Sequence, residues 1–243
     1  MTLRPTRDSA REKRLSGTAN VRLVGDGAQP DKPLLRGYLH AGAALAAVIC
    51  TVLLAVASAS DRAKQVSLLI YGASSILLFG WSALYHLGNW SPPTRKLFRR
   101  IDHANIFVLI AGTYTPIAFN TLSGGWRVAL LAIIWSLAAL GMVAAAPALR
   151  IPRPVMVGLY VAMGWVALAF LPQIASAVGM ASMGLLALGG ALYTLGALAY
   201  ALHKPNPWPR VFGYHEVFHL ATIAAAASFL AFMVHDVLPY VRH

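Results

Sequence analysis

The feature that most constrains this chain is a series of long apolar segments separated by short polar connections. Seven segments reach the roughly 17–25 residues that an α-helix needs to cross the hydrocarbon core of a bilayer. They lie at about 37–58, 65–88, 102–122, 127–147, 154–174, 180–202 and 214–237. Only 12% of the 243 residues are charged, about half the share in soluble proteins. The pattern predicts an all-α, polytopic membrane protein with a seven-helix transmembrane domain at 37–238.

The first 36 residues have a different composition. They hold eight of the twenty Lys and Arg residues, four acidic residues and no long apolar run. We expect residues 1–36 to form a basic, disordered cytoplasmic extension near anionic lipid headgroups. A basic tail can also bind nucleic acid, but aromatic residues are not interleaved with these charges, so no nucleic-acid partner is expected. The single cysteine, Cys50, excludes a disulfide framework and a cysteine-based metal site.

The distribution of Lys and Arg predicts the orientation, because cytoplasmic connections carry the excess of positive charge. The N-terminal segment and the second, fourth and sixth connections together hold sixteen Lys and Arg residues, against four on the opposite side. The N-terminus is therefore expected in the cytoplasm and the C-terminus outside.

A small set of polar residues lies at the ends of the apolar segments. Ser82 and His86 end the second segment, Asp102 begins the third, and His215 with His219 begins the seventh. With alternating helix directions, all three ends lie on the cytoplasmic side. Ionisable groups at membrane depth usually face the interior of a bundle and serve chemistry or transport there. We therefore expect these five side chains to form one site.

The residue types in this set suit a zinc ion. Residues four apart share one face of a helix, so His215 and His219 can bind the same ion, and His86 would be the third ligand. Three imidazoles leave a fourth position for water, whose pKa zinc lowers to about 7. Asp102 would orient that water or accept its proton. Ser82 would donate a hydrogen bond to the water or to a developing oxyanion.

Other interpretations of the same residues remain open. Asp102 at the start of a segment can be a helix N-cap, and Ser82 can bond a carbonyl of its own or a neighbouring helix. The string 215–219 also fits the H-E-x-x-H pattern, in which Glu216 would be the general base of an intramembrane metalloprotease. The remaining histidines are interpreted as interfacial, helix-end or terminal residues: His40, His103, His203, His235 and His243.

Several motifs, in this order, resemble the haemolysin III family. They are Ser82-x-x-x-His86, the segment 100–107 (RIDHANIF), the segment 111–116 (AGTYTP) and the segment 215–219 (HEVFH). That family is grouped with the progestin and adipoQ receptors, which include adiponectin receptor-like proteins, and more distantly with the alkaline ceramidases. The resemblance covers roughly residues 35–238.

The resemblance implies a seven-helix bundle with one zinc ion near the cytoplasmic face. It implies His86, His215 and His219 as ligands, with Asp102 and Ser82 around the metal-bound water. The chain departs from the pattern at none of these positions. Relatives look like metal-dependent hydrolases of lipid amides, with ceramide as the usual candidate substrate.

The sequence therefore predicts a zinc-dependent hydrolase that acts on an amide or ester bond of a membrane lipid. We expect a multi-pass protein of the cytoplasmic (inner) membrane of a bacterium. A receptor-like or regulatory membrane protein with a structural zinc site is the main alternative, and the H-E-x-x-H protease is a minor one. A transporter ranks lowest, because the outer halves of the segments are nearly all Ala, Leu, Val and Gly.

Overall fold

The computed structural model describes residues 33–146, 149 and 151–242, which form an all-α structure. Its α-helices, in chain order, are α1 (Tyr38–Ala57), α2 (Arg62–Leu87), α3 (Pro92–Thr121), α4 (Gly124–Ala144), α5 (Arg153–Gly164), α6 (Leu171–Val178), α7 (Met183–Leu202) and α8 (Tyr214–Phe232). A 3₁₀ segment, Trp165–Phe170, joins α5 to α6, and α8 continues into a π-helical turn, Met233–Val237. The predicted extension over residues 1–32, Arg150 of the fourth connection and the terminal His243 lie outside the described residues.

Six helical stretches of the described chain are long and apolar enough to cross a membrane: α1, α2, α4, α5 with α6, α7, and α8 with its π turn. The protein is therefore a polytopic membrane protein. The third predicted crossing, 102–122, lies in α3 except for its last residue, and the 30 residues of α3 extend about 45 Å. α3 is more polar than the others because it begins with a basic segment and buries Asn105, Thr113 and Asn120. Its passage through the membrane stays a prediction.

The fifth predicted segment, 154–174, is not one uninterrupted helix. The α-helix ends at Gly164 and resumes at Leu171, with Pro172 in the first turn of α6. Proline has no N–H and is tolerated in the first turn of a helix, where that group would lack an intrahelical partner. The hydroxyl of Tyr114 on α3 donates to the Gly164 carbonyl at 2.7 Å and accepts from the Ala167 N–H at 2.8 Å. One side chain thus satisfies two backbone groups at the interruption.

The C-terminal residues pack at one end of the bundle. The ammonium of Lys64, near the start of α2, donates to the carbonyls of Leu238 and Tyr240 at 2.8 and 2.6 Å. Arg242 bonds Asp61 at 2.5 Å and Asn120, at the end of α3, at 3.0 Å. The Lys64 backbone N–H, and Arg242 to a smaller extent, lower the pKa of the Asp61 carboxyl. The end of α3 and the start of α2 therefore lie at the same end of the molecule.

Residues 33–36 belong to the packed part of the chain, although the sequence analysis placed them in the extension. The backbone N–H groups of Leu34 and Leu35 donate to the carbonyls of Arg210 and Val211, just before α8, at 3.1 and 3.3 Å. Arg36 forms an ion pair with Glu216 in the first turn of α8. The packed part therefore begins before the predicted boundary at residue 36, because Leu34, Leu35 and Arg36 have partners in the bundle; the extension itself stays a prediction.

Small residues allow the helices to approach closely. Gly112 on α3 faces Ser74 on α2, and Gly196 on α7 faces Ala221 on α8, with no room for an added Cβ at either glycine. In lipid, helices associate through such packing and through interhelical hydrogen bonds rather than through burial of apolar surface from water. Close packing of α2 with α3 and of α7 with α8 therefore fixes the helix ends that carry the candidate site.

Candidate metal centre

Three histidines from two distant parts of the chain meet at the other end of the bundle. His86 lies in the last turn of α2, and His215 and His219 lie in the first two turns of α8. One ring nitrogen from each lies within 4.8 Å of the other two. The Nε2 atoms of His86 and His215 are 3.2 Å apart. The structure thus brings together the three residues that the sequence predicted as metal ligands.

The geometry of this group fits a zinc ion. Zinc–nitrogen bonds of about 2.0–2.1 Å at tetrahedral angles separate two ligand nitrogens by about 3.3 Å. The measured separation of 3.2 Å between His86 and His215 agrees with that value. In addition, Nδ1 of His219 is buried and has no hydrogen-bond partner among the described residues. A buried polar atom of this kind is normally satisfied by an ion, a water molecule or a ligand.

Asp102 and Ser82 lie beside the three imidazoles. Oδ2 of Asp102 is 4.0 Å from Nε2 of His86, a distance longer than a hydrogen bond. The Ser82 hydroxyl, one helical turn before His86, donates to the Asp102 carboxylate. Asp102 lies ten residues inside α3, so it is not the N-cap of this helix. The structure therefore brings all five predicted side chains together at one end of α2, α3 and α8.

His40 also belongs to this group, which the sequence analysis did not predict. It is 2% exposed, and its ring stacks on that of His219 with centroids 3.7 Å apart and an interplanar angle of 11°. The expectation that it is interfacial was wrong, because α1 packs against α2 and α8 and turns the side chain inward. The alternation of helix directions places His40 on the same side of the membrane as the site, and this position was the feature of the sequence that could have indicated its contact with His219.

The second histidine interpreted as interfacial, His103, lies at the edge of the site. Its Nδ1 donates to the Arg99 carbonyl at 2.6 Å, so its Nε2 accepts from the Tyr200 hydroxyl at 3.2 Å. The guanidinium of Arg153 lies over the Tyr200 ring, 4.8 Å from its centroid, and bonds His203. These contacts tie the start of α3 to the end of α7 and the start of α5.

Glu216 points away from the three imidazoles, although it lies between two of them in sequence. Its side chain is fully buried and pairs with Arg36, and its Oε2 accepts from the Gly213 N–H at 2.8 Å. This second contact is the half of a capping box in which the N3 side chain accepts from the N-cap N–H, since Gly213 has no side chain for the other half. The carboxylate is thus occupied by a cation and a backbone donor, which is unlike the general base of an H-E-x-x-H protease.

A cavity of about 270 Å³ adjoins the group of histidines. Ser82, Asp102, His215 and His219 line its polar end. Along α3 it extends from Asp102 to Ile117, about 22 Å at the helical rise. Its far part is apolar and includes Leu109, Ile117, Leu171, Ile174, Met183 and Phe229. The polar site therefore opens into a long apolar chamber within the bundle.

Comparisons with known proteins agree with this arrangement of motifs. The family model described as Haemolysin-III related matches residues 28–230. Hemolysin-3 from Bacillus cereus is 33% identical over 201 residues, covering 82% of this chain and 88% of that protein. The Hemolysin-3 homolog from Bacillus subtilis (strain 168) is 33% identical over 165 residues, covering 67% of this chain and 73% of that protein.

A eukaryotic protein is similar as well. The adiponectin receptor protein from Drosophila melanogaster is 31% identical over 183 residues, covering 65% of this chain and 40% of that protein. Together these matches confirm the resemblance first seen in the motifs around His86, Asp102 and His215. The chain therefore belongs to the haemolysin III family, within the adiponectin receptor-like superfamily of membrane proteins.

Proposed function

We propose that this protein is a zinc-dependent hydrolase of the cytoplasmic membrane that cleaves an amide or ester bond of a membrane lipid. The observation that carries the proposal is the meeting of three imidazoles, a carboxylate and a hydroxyl at the polar end of an apolar cavity. A structural zinc site needs no such cavity and is usually closed by four protein ligands. Here the chain offers three nitrogens within 4.8 Å of one another.

His86, His215 and His219 would hold the zinc ion. When bound by such ligands, zinc supplies Lewis acidity, which polarises a carbonyl and makes a water molecule more acidic. Asp102 is placed to accept a proton on the side of His86, since its Oδ2 lies 4.0 Å from that ring. Ser82 donates to Asp102 and so fixes the orientation of the carboxylate.

The cavity fits a lipid better than a water-soluble substrate. Its wall beyond the polar end is made mostly of aliphatic and aromatic side chains from α3, α5, α6, α7 and α8, with Thr113, Thr194 and Thr222 among them. An acyl chain placed along this wall would leave its polar linkage beside Asp102 and the histidines. Sites of this kind bind ligands through a mostly apolar lining and a few convergent polar groups.

The first test of the proposal is metal content. The purified protein is expected to contain about one zinc per chain, and His215→Ala is expected to remove most of it, because two imidazoles bind zinc far less tightly than three. His235→Ala is the matched control, since that side chain is 77% exposed and lies in the π-helical turn after α8, at the other end from His215. Elemental analysis of the folded proteins measures the effect. Full zinc content in His215→Ala would rule out the proposed ligand set.

The second test distinguishes Asp102 from Glu216 as the residue that accepts a proton in the reaction. Asp102→Asn is expected to keep its zinc and its fold. It is expected to lower kcat for hydrolysis of a long-chain lipid amide by about 100-fold or more, because the asparagine side chain accepts no proton. Glu216→Gln is the contrasting variant, and it is expected to lower kcat much less than Asp102→Asn does, because Glu216 contacts Arg36 and the Gly213 N–H and does not line the cavity. Release of fatty acid by both variants is measured at equal zinc content. The reverse order of activities would favour the H-E-x-x-H protease mechanism.

A second candidate function is a receptor-like or regulatory protein with a structural zinc ion. It is favoured by the similarity to a protein named as an adiponectin receptor. The discriminating result is the behaviour of the wild type and Asp102→Asn on a panel of lipid amides and esters. Folded, zinc-containing protein that hydrolyses none of them in either form would favour the receptor-like function.

A further inference from the structure

The side chain of His40 is the clearest polar group at the site to which the proposed reaction assigns no role. It lies near the start of α1 and is 2% exposed. One face of its ring stacks on His219, and the ring of Phe79 contacts its edge with centroids 5.1 Å apart. His40 also lines the cavity together with Ser82 and Asp102.

Neither ring nitrogen of His40 makes a hydrogen bond of normal geometry with the part of the chain that the structure describes. A neutral imidazole carries one N–H donor and one acceptor nitrogen. Buried groups of this kind nearly always have a partner, whether protein, water or ligand. The His219 backbone is close to the ring but makes no hydrogen bond of normal geometry with it, and the cavity that the ring borders is the place from which a stronger partner can reach it.

The stacking argues against His40 as a further ligand of the same metal ion. The lone pair that binds a metal lies in the plane of the imidazole ring. The stacked rings of His40 and His219 lie in two separate, nearly parallel planes, so no ion within bonding distance of both rings lies in both planes. The group of mutually close donors also consists of His86, His215 and His219 and does not include His40.

We propose that His40 is a substrate-binding residue that hydrogen-bonds the polar linkage of a lipid held in the cavity. This inference rests on the proposed function, since it places a lipid at the polar end of the cavity. One donor and one acceptor match a secondary amide, which itself offers an N–H and a carbonyl oxygen. A simple alkyl ester offers acceptors alone and satisfies only one of the two nitrogens. His40 therefore favours a secondary amide over an ester of the same acyl chain length.

The test measures equilibrium binding rather than turnover. A radiolabelled long-chain N-alkyl amide and an alkyl ester of the same acyl chain are bound to the detergent-solubilised, zinc-containing protein. His40→Phe keeps an aromatic ring against His219 but removes both nitrogens. It is expected to weaken binding of the amide, which loses two hydrogen bonds, about tenfold more than binding of the ester, which loses one. His235→Phe, at the opposite end of α8, is expected to bind both lipids like the wild type.

A second variant separates hydrogen bonding from ring stacking. His40→Gln lacks the ring but offers a donor and an acceptor, and it is expected to bind the amide more tightly than His40→Phe does. Unchanged amide affinity in His40→Phe would overturn the proposal, because the ring would then serve packing alone. Loss of zinc from a folded His40→Phe would also overturn it, because His40 would then support the metal ligands.

The outcome for His40 is distinguishable from the outcome for the hydrolase. Binding of the amide by the wild type, weakened in His40→Phe, with no hydrolysis by either protein, would support the binding role and contradict the proposed reaction. Hydrolysis by the wild type, with equal amide affinities in the wild type and His40→Phe, would support the proposed reaction and contradict the binding role of His40. Failure of the wild type to bind either lipid would contradict both.

Discussion

At the scale of single residues, the start of α8 depends on a buried charge with two partners. Glu216 is fully buried, pairs with Arg36 and accepts from the Gly213 N–H. A carboxylate taken out of water without a cation carries a large desolvation cost. Because His215 and His219 flank Glu216 on the same two turns, this pair also holds the candidate metal ligands in place.

The pair predicts unequal effects for its two members. Arg36→Met leaves a fully buried carboxylate without its cation and is expected to lower the free energy of unfolding by about 3 kcal/mol. Glu216→Gln is expected to cost less, about 1 kcal/mol, because the amide oxygen still accepts from Gly213 and the Arg36 side chain is 20% exposed. Unfolding of both variants in the same detergent measures the difference. Equal losses would contradict the interpretation that the uncompensated charge is the main cost.

At the scale of elements, the interruption between α5 and α6 shows how tertiary contacts replace local ones. The apolar pattern over 154–174 is continuous, so it predicts one helix. Apart from Gly164 and Pro172, nothing in the sequence of this segment indicates a 3₁₀ turn. The partner that satisfies the freed backbone groups is Tyr114, about fifty residues away in sequence. That partner becomes visible only when α3 is packed against the interruption.

Two tyrosines allow a matched test of this contact. Tyr114→Phe removes both bonds to the interruption and is expected to lower the free energy of unfolding by about 1 kcal/mol. Tyr193→Phe removes a buried hydroxyl that has no hydrogen-bond partner among the described residues, and it is expected to be neutral or slightly stabilising. Hydrogen exchange at the Ala167 amide should accelerate only in Tyr114→Phe. Equal exchange in the two variants would show that the hydroxyl does not protect this amide.

At the scale of the whole molecule, the contacts divide the helix ends into two sets. Lys64, Asn120 and Arg242 mark one end, and His86, Asp102 and Glu216 mark the other. Consecutive helices therefore run in alternating directions from α1 to α3, as short connections require. Which end faces the cytoplasm follows from the Lys and Arg distribution alone, and that part stays a prediction.

Cysteine labelling tests the orientation and the crossing of α3. Single cysteines at the exposed positions Ser60, Ser91, Ser123 and Trp208, with Cys50 replaced by serine, are treated with a membrane-impermeant maleimide in intact spheroplasts. Cysteines at 60 and 123 are expected to react at once, and those at 91 and 208 only after permeabilisation. Reaction of 91 and 123 from the same side would mean that α3 does not cross the membrane. A full reversal would mean that the orientation is wrong.

The sequence by itself determined the class of protein, the helical stretches and the end of the bundle at which polar residues gather. Those properties depend on the length of each apolar segment and on the alternation of direction from one membrane crossing to the next. Both can be counted along the chain. It also nominated His86, His215 and His219, because i, i+4 spacing and helix direction are local as well.

Only the tertiary structure decided which polar side chains lie in contact with one another. It turned Glu216 away from its neighbouring histidines, brought His40 onto His219 and placed Tyr114 at the interruption of another helix. These outcomes depend on the rotation of each helix about its axis and on partners from distant segments. Neither is recorded in the apolar pattern, since in a membrane both faces of a helix can be apolar.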